Sequence, residues 1–437
     1  MNIALRITLF ALLTSFNLAC HEEATQQEQY DAPLVLWHAL RGMDQVHLRK
    51  DLTRFEHKTG LKVLALQLPH QAFANKLQVS IPRGNGPDVF IGPHDRVGDW
   101  AEAGHIEALS YWVKPEAYLK FMASPLEAFT YKQQLYGLPL SCKALALFYN
   151  PQVIPQAPET IAELIQQAQQ FQAQTKSNRG EQSWGLAYPE LDSLYFHAPW
   201  LHAFGAQVIE RGQLNLNHTA MHKSVALVKK LRDQGLIPPE IDGALASELF
   251  RRGKLAFLIN GPWFMSELAD FDSERWAVAL LPSLKKTSTQ NPDPQVMRPY
   301  LSVEGVMVSA YSKQSQKAWR LAQFLASPQL AIHRQDRGEL IAYQDQSLSD
   351  GRKDDQVDSS SSKPNSKQKK WQAIFQAQVK SSIPLSNDPQ MKGLWTPVKR
   401  ALGQSILYDA DIKKSFAEAE KAVSKQVQQS QKETQDD

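Results

Sequence analysis

Between residues 33 and 91 the chain alternates short apolar runs with helically spaced ones, and that order leaves few folds open. Leu34-Val35-Leu36-Trp37 reads as a strand; Leu48, Leu52 and Phe55 then recur at helical spacing until Gly60, a natural helix stop. Leu61 to Leu66 is a second strand. A helical stretch through Phe73, Leu77 and Val79 leads to the turn Gly84-Asn85-Gly86-Pro87 and a third strand at Asp88 to Ile91. Strands joined by helices run parallel, with the helices covering the sheet faces, so the order β-α-β-α-β predicts an α/β fold.

The same alternation returns further on. Ala144 to Tyr149 and Lys254 to Ile259 read as strands, and Ile161 to Phe171 and Val225 to Leu231 as amphipathic helices. Asn260-Gly261-Pro262 stops the second strand and places Pro262 at the first position of a new helix, where its missing N–H costs nothing. Val303 to Ser309 is strand-like and is followed by a helix with Ala318, Leu321, Ala322 and Leu325 on one face and a stop at Ser327-Pro328. Residues 344–370 hold Ser359 to Ser362 and many Lys, Asp and Gln with little to bury, which predicts a mobile surface insertion. The tail from Lys413 is a polar helix with Phe416, Ala419 and Val423 as its inner stripe. Trp37, Trp276 and Trp319 fall within these patterns as core residues.

At 437 residues the chain exceeds the roughly 250–300 at which a single core stops growing, so two lobes are expected. Lys and Arg number 48 against 45 Asp and Glu, a balance of +3, which supplies no field for gathering nucleic acid. Arg6 followed by the apolar run Ile7 to Leu13 reads as an export signal over residues 1–19, too short for a permanent membrane span. Residues 21–30 are polar and unpatterned, as a flexible tether would be.

Local signatures of catalysis are missing from the sequence. It has no Gly-x-Ser-x-Gly elbow, no His-Glu-x-x-His helix and no phosphate loop ending in Gly-Lys-Ser/Thr. His218 and His222 stand four apart, as a metal pair would, with no third ligand nearby in sequence, and read as surface histidines. A carboxylate pair for glycoside hydrolysis is joined only by the fold and has no local signature. The expectation is a protein that is not an enzyme and needs no cofactor or metal.

Five segments carry a family resemblance: Phe55-Glu56-His57-Lys58-Thr59-Gly60; Gly86 to Ile91 with His94-Asp95-Arg96; Tyr136-Gly137-Leu138-Pro139 with Ala144-Leu145 and Tyr149-Asn150; Asn260-Gly261-Pro262-Trp263; and Met391 to Trp395. In that order, from about residue 33 to 425, they resemble the solute-binding proteins of carbohydrate ABC importers, the maltose-binding members above all. The end of the export signal, Asn17-Leu18-Ala19-Cys20, likewise resembles the lipobox of bacterial lipoproteins, with Asn17 where an aliphatic residue is usual. That likeness implies acylation of Cys20 and a lipidated tether over residues 20–32. Cys142 is the only other cysteine, so an acylated Cys20 would leave no intrachain disulfide.

The family resemblance implies the two-lobed type II periplasmic-binding fold, with crossovers near Pro139 to Lys143 and near Leu301 to Gly305. The N-terminal lobe would hold 33–141 plus about 303–343, and the C-terminal lobe 142–302 plus about 371–437. It further implies an exported, monomeric receptor that closes by a hinge on an oligosaccharide and delivers it to an ABC-type membrane permease. The alternatives are a glycoside hydrolase or a binding protein for another solute.

A sugar ring offers an apolar C–H face and a rim of hydroxyls, which flat aromatic rings and planar polar side chains complement. Trp263 and Trp395 are the expected platforms, Asp95 and Arg96 the expected hydroxyl partners, and Tyr195, Arg41 and Glu304 further ligand contacts. The plainer alternatives are core tryptophans for Trp263 and Trp395 and a surface ion pair for Asp95 and Arg96. Three positions depart from the maltose-binding pattern: Gly92 for an aromatic, Lys143 for an acidic contact, and Lys399 for arginine. A reversed charge changes which hydroxyl pattern a small site accepts, so the expected ligand is an oligosaccharide that need not be maltose.

Overall fold

The computed structural model describes residues 32–436 apart from 113, 115, 117–118, 180–181, 190, 192, 269, 286–294 and 345–365. The export signal, Cys20 and most of the expected insertion therefore lie outside the described residues. The described residues form two compact units: those up to Ile91 with Val308–Phe324, and those of Gly92–Met307 with those from Leu325 onward.

In the first unit β1 (Leu34–His38), α1 (Gly42–Thr59), β2 (Val63–Gln67), α2 (His70–Ser80) and β3 (Val89–Pro93) follow the predicted order. β1 pairs in parallel with β2, Leu34 opposite Val63, and with β3, Leu36 opposite Val89. Gly60 ends α1 in the left-handed region, at φ 75°, and its N–H caps the Glu56 carbonyl. Asp88 joins the returning segment to this sheet: Oδ2 accepts the Val35 N–H at 2.9 Å and Oδ1 the Ser312 hydroxyl at 2.6 Å. The apolar stripe Ala318, Leu321, Ala322 and Leu325 of the helix Ser315–Leu325 is fully buried, as predicted.

The second unit contains, in chain order, β4 (Leu138–Lys143), β5 (Ala146–Tyr149), α3 (Ile161–Arg179), β6 (Trp184–Ala187), α4 (Leu194–Ala203), α5 (Thr219–Asp233), β7 (Leu255–Asn260), β8 (Ala277–Ala279), β9 (Tyr300–Val308), β10 (Leu340–Ile341), α6 (Ser366–Ser381), β11 (Ile383–Pro384), α7 (Gln390–Ile406) and α8 (Ile412–Asp436). One sheet runs β8-β5-β7-β6, with β7 antiparallel to β5 and parallel to β6. β4 pairs antiparallel with β9 and with β10, and β9 parallel with β11. The core joins Leu147, Leu186, Trp200, Val225, Phe257 and Leu402. Phe416, Ala419 and Val423 of α8 are buried on it, as the tail pattern predicted. Trp37, Trp276 and Trp319 are all buried.

Pro262 does open a helix, a seven-residue 3-10 one, Pro262–Leu268, in which Phe264 reaches into the core while Trp263 points out. Two other expectations change. Ser327-Pro328 ends one helix but also begins another, Pro328–Asp336: Ser327 Oγ caps the Leu330 N–H and proline occupies the first turn. The expected insertion is narrower at both ends, since Gln344 bonds to Lys120 and Phe121 and α6 takes in residues 366–370. Among the described residues no helix is long and apolar enough to cross a membrane.

Candidate functional site

The aromatic platform is built at the end of β7. Asn260 is buried and its Oδ1 accepts the Gly261 N–H at 2.9 Å, which fixes the turn leaving the strand. Phe264 is fully buried and meets Phe148 edge-on at 5.1 Å between centroids and Phe250 at 5.6 Å. With that plug in place, Trp263 is held 40% exposed, large and apolar yet turned outward. Its indole lies back over Gly261, where an added Cβ would stand 2.2 Å from the ring. Tyr195, near the start of α4, sits 6.3 Å from Trp263 with the ring planes inclined at 41°. The Tyr195 hydroxyl is buried without a hydrogen-bond partner, and burial pushes its pKa above the ordinary phenol range.

Asp95 and Arg96 lie on a 3-10 turn, His94–Arg96, directly after β3, both half-buried. They do not form the surface pair that was one reading: Arg96 Nη1 stands 3.8 Å from Asp99 Oδ2, and Asp99 in turn is 3.2 Å from Lys392 Nζ on α7. Partly exposed pairs of this kind contribute little stability, so their consequence is orientation of the Arg96 fork. α7 also carries Trp395, half-buried against the core, and it packs against both the His94–Arg96 turn and α4. The helix with Trp395 thus packs against both the charged turn and the Tyr195 helix, so that two aromatic side chains, a carboxylate and a guanidinium are carried on elements in contact.

Glu304 on β9 is not free to act alone. Its Oε2 accepts from Lys143 Nζ at 2.9 Å, across the β4–β9 pairing. The charge reversal at Lys143 is therefore balanced by a carboxylate on the neighbouring strand. Lys399 is exposed on α7, and Gly92 is buried in β3. Arg41 belongs to the first unit, where it is the exposed residue preceding α1 and makes no capping bond there.

His218 and His222 are accounted for without a metal. His218 Nδ1 caps α5 by accepting the Ala220 N–H at 3.2 Å, and His222 Nε2 donates to Asn217 Oδ1 at 2.8 Å. Sequence reasoning missed Asp99 and Lys392, which have no motif of their own, and Gly261 as the seat of the indole. It also passed over His94, which was visible within the His-Asp-Arg triplet but was assigned no role.

Comparison with known proteins places the chain by family and fold. A galactooligosaccharide-binding protein of Bacillus subtilis is 24% identical over 98% of this chain and 98% of its own. A maltooligosaccharide ABC transporter solute-binding lipoprotein of Streptococcus pneumoniae is 23% identical, covering 86% of this chain and 84% of that protein. The Thermus thermophilus maltotriose-binding protein, solved with maltotriose, superposes with a TM-score of 0.73 at 25% identity, over 90% of this chain and all of that one. These are binding proteins, not enzymes, and the fold they share is the type II periplasmic-binding fold. The profile of the bacterial extracellular solute-binding proteins matches residues 46–332, and the chain belongs to that family.

Proposed function

We propose that this protein is the exported sugar-binding component of an ABC-type importer, a monomer that takes an oligosaccharide by hinge closure and delivers it to a membrane permease. The observation that carries the reading is the half-exposed indole of Trp263, set at a tilt beside Tyr195 and seated over Gly261. A tryptophan held outward at a strand end by a buried neighbour gains nothing for the core; it offers a flat apolar face to a ligand. Trp263, Tyr195 and Trp395 form the platform, Asp95 and Arg96 serve the hydroxyl rim, and Arg41 and Glu304 are further contacts, Glu304 acting as a pair with Lys143. The lobe boundaries given by the resemblance, 33–141 with about 303–343 and 142–302 with about 371–437, belong to this proposal. The related proteins bind galacto- and maltooligosaccharides, and the neutralised charge at Lys143 fits a neutral glycan of either series.

Magnitudes are consistent with micromolar capture. Such an affinity is about −8 kcal/mol, and hydrogen bonds to charged groups contribute roughly 1.5–3 kcal/mol each. Calorimetry against malto- and galactooligosaccharides should give one bound glycan per chain with at least one series. A chain that binds neither, or that turns over a chromogenic oligosaccharide, is not this receptor.

Anchoring is part of the proposal. Acylation of Cys20 would tether the receptor through residues 21–30 to the membrane, supported by the lipoprotein description of the pneumococcal relatives. Cys20→Ser should move the protein from the membrane fraction to the soluble one in cell fractionation. A variant that stays membrane-bound would exclude this anchor.

A further inference from the structure

His94 is the most completely enclosed member of the Asp95–Arg96 turn. Its ring is fully buried and both nitrogens are engaged: Nδ1 accepts the Val303 N–H at 3.1 Å, and Nε2 donates to the Leu385 carbonyl at 2.7 Å. A nitrogen that accepts from an amide carries no proton, so these two bonds fix the neutral tautomer protonated at Nε2. Phe129 packs on the ring at 6.1 Å between centroids. Each bond reaches a segment that bears a proposed ligand contact. Val303 precedes Glu304 on β9, and Leu385 directly follows β11 on the segment leading into α7 and Trp395.

We infer that His94 is a positioning residue for sugar binding: its imidazole ties the Asp95–Arg96 turn to β9 and to the segment ahead of α7, setting where the carboxylate and guanidinium stand relative to Glu304 and Trp395. The inference rests on the reading of Asp95 and Arg96 as ligand contacts. The turn itself is three residues long with no side-chain cap. Without the ring, the polar ties of the turn would include the Arg96–Asp99–Lys392 chain, which is partly exposed and weak, beside its packing against α7.

The charged groups around His94 bear on the same point. Asp95 on its own turn and Glu304 on β9 both favour a proton on the ring, whereas burial opposes it and prevails, so the pKa lies below the ordinary histidine value. Lys143 neutralises Glu304, and Lys392 stands against Asp99. A second proton would place a donor at Nδ1 facing the Val303 N–H and would break that link.

The test is a double-mutant cycle read by calorimetry on the full chain, with the best-binding oligosaccharide of the panel. His94→Phe keeps the ring and deletes both bonds; it should cost about tenfold or more in affinity, since two buried polar partners lose their hydrogen bonds. His94→Gln, whose amide nitrogen reaches the Nε2 position and can donate to the Leu385 carbonyl, should recover affinity to within about threefold of wild type. Combined with Arg96→Ala, His94→Phe should lose little beyond the single Arg96→Ala change, because both act through the same contact. Should His94→Phe not fold, His94→Asn, which retains an atom only near Nδ1, takes its place in the cycle. Unchanged affinity in a folded His94→Phe, absence of rescue by glutamine, or strictly additive losses with Arg96→Ala would each overturn the inference. Failure of the wild-type chain to bind any glycan would instead sink the receptor reading itself.

Discussion

Replacing Trp263 by alanine should weaken oligosaccharide binding about tenfold or more, at least 1.4 kcal/mol, while the unfolding midpoint falls by no more than about 2–4 °C. The two effects separate because of where the indole sits. It is 40% exposed, and its neighbour Phe264 does the packing between Phe148 and Phe250. What the fold loses includes the tilted ring contact with Tyr195, on the order of 0.5–1.5 kcal/mol. What the ligand loses is a platform. Gly261→Ala should reproduce the affinity loss without touching the tryptophan itself: the new methyl would meet the far edge of the indole at 2.2 Å. The ring can swing away at little cost to the fold but can no longer lie where the sugar needs it. Wild-type affinity in both variants, measured by calorimetry, would return Trp263 to a purely structural role; collapse of the fold in Trp263→Ala would do the same.

Acid should destabilise the second unit through two buried histidines on α4. His197 Nε2 donates to Ser224 Oγ at 3.0 Å, because the Ser224 proton is already given to the Met221 carbonyl, and Nδ1 has no partner. His202 Nδ1 donates to the Arg298 carbonyl, its Nε2 is unpartnered, and the ring meets Tyr300 edge-on at 4.9 Å. A second proton on either ring would be a buried charge with no acceptor. Burial therefore pushes the pKa of His197 down to about 3, helped by the neighbouring His202, and that of His202 to about 4.

Both folded values lie below the unfolded value near 6.5. The stability contributed by the neutral rings is then fully present above about pH 6.5 and is lost as pH falls toward 4, at about 1.4 kcal/mol per pH unit for each histidine. Two such groups amount to several kcal/mol between pH 6.5 and 4, a large share of ordinary domain stability. Urea unfolding at pH 7, 6 and 5 should show stability falling with acid, and His197→Gln should flatten that fall, by up to about 1.4 kcal/mol per pH unit once the pH is well below 6.5. An identical slope in wild type and variant would mean that His197 does not titrate this way.

Local pattern was enough for much of the architecture. Periodicity placed β1, α1, β2, α2 and β3 in order, Gly60 marked the end of α1, and the stripes of the helix Ser315–Leu325 and of α8 proved buried residue for residue. Those features are legible because burial of one face imposes spacing on the sequence and because a left-handed cap favours glycine. The short turns were less legible: whether Pro262 opens an α-helix or a 3-10 turn depends on the depth to which Phe264 must reach, a distance no local pattern encodes.

The sequence by itself determined an α/β chain too long for one core, without catalytic motifs, carrying Asp95-Arg96, Trp263 and Trp395 in segments of recognisable kind. Tertiary structure alone decided which side chains meet. It paired Lys143 with Glu304, 161 positions apart, and ran Arg96 through Asp99 to Lys392. It set Tyr195 against Trp263 and closed His94 between Val303 and Leu385, 209 and 291 positions away. The physical reason is range: spacing and capping act within a few residues, whereas hydrogen bonds, ion pairs and ring contacts act within a few ångströms, and only the folded chain converts the one distance into the other.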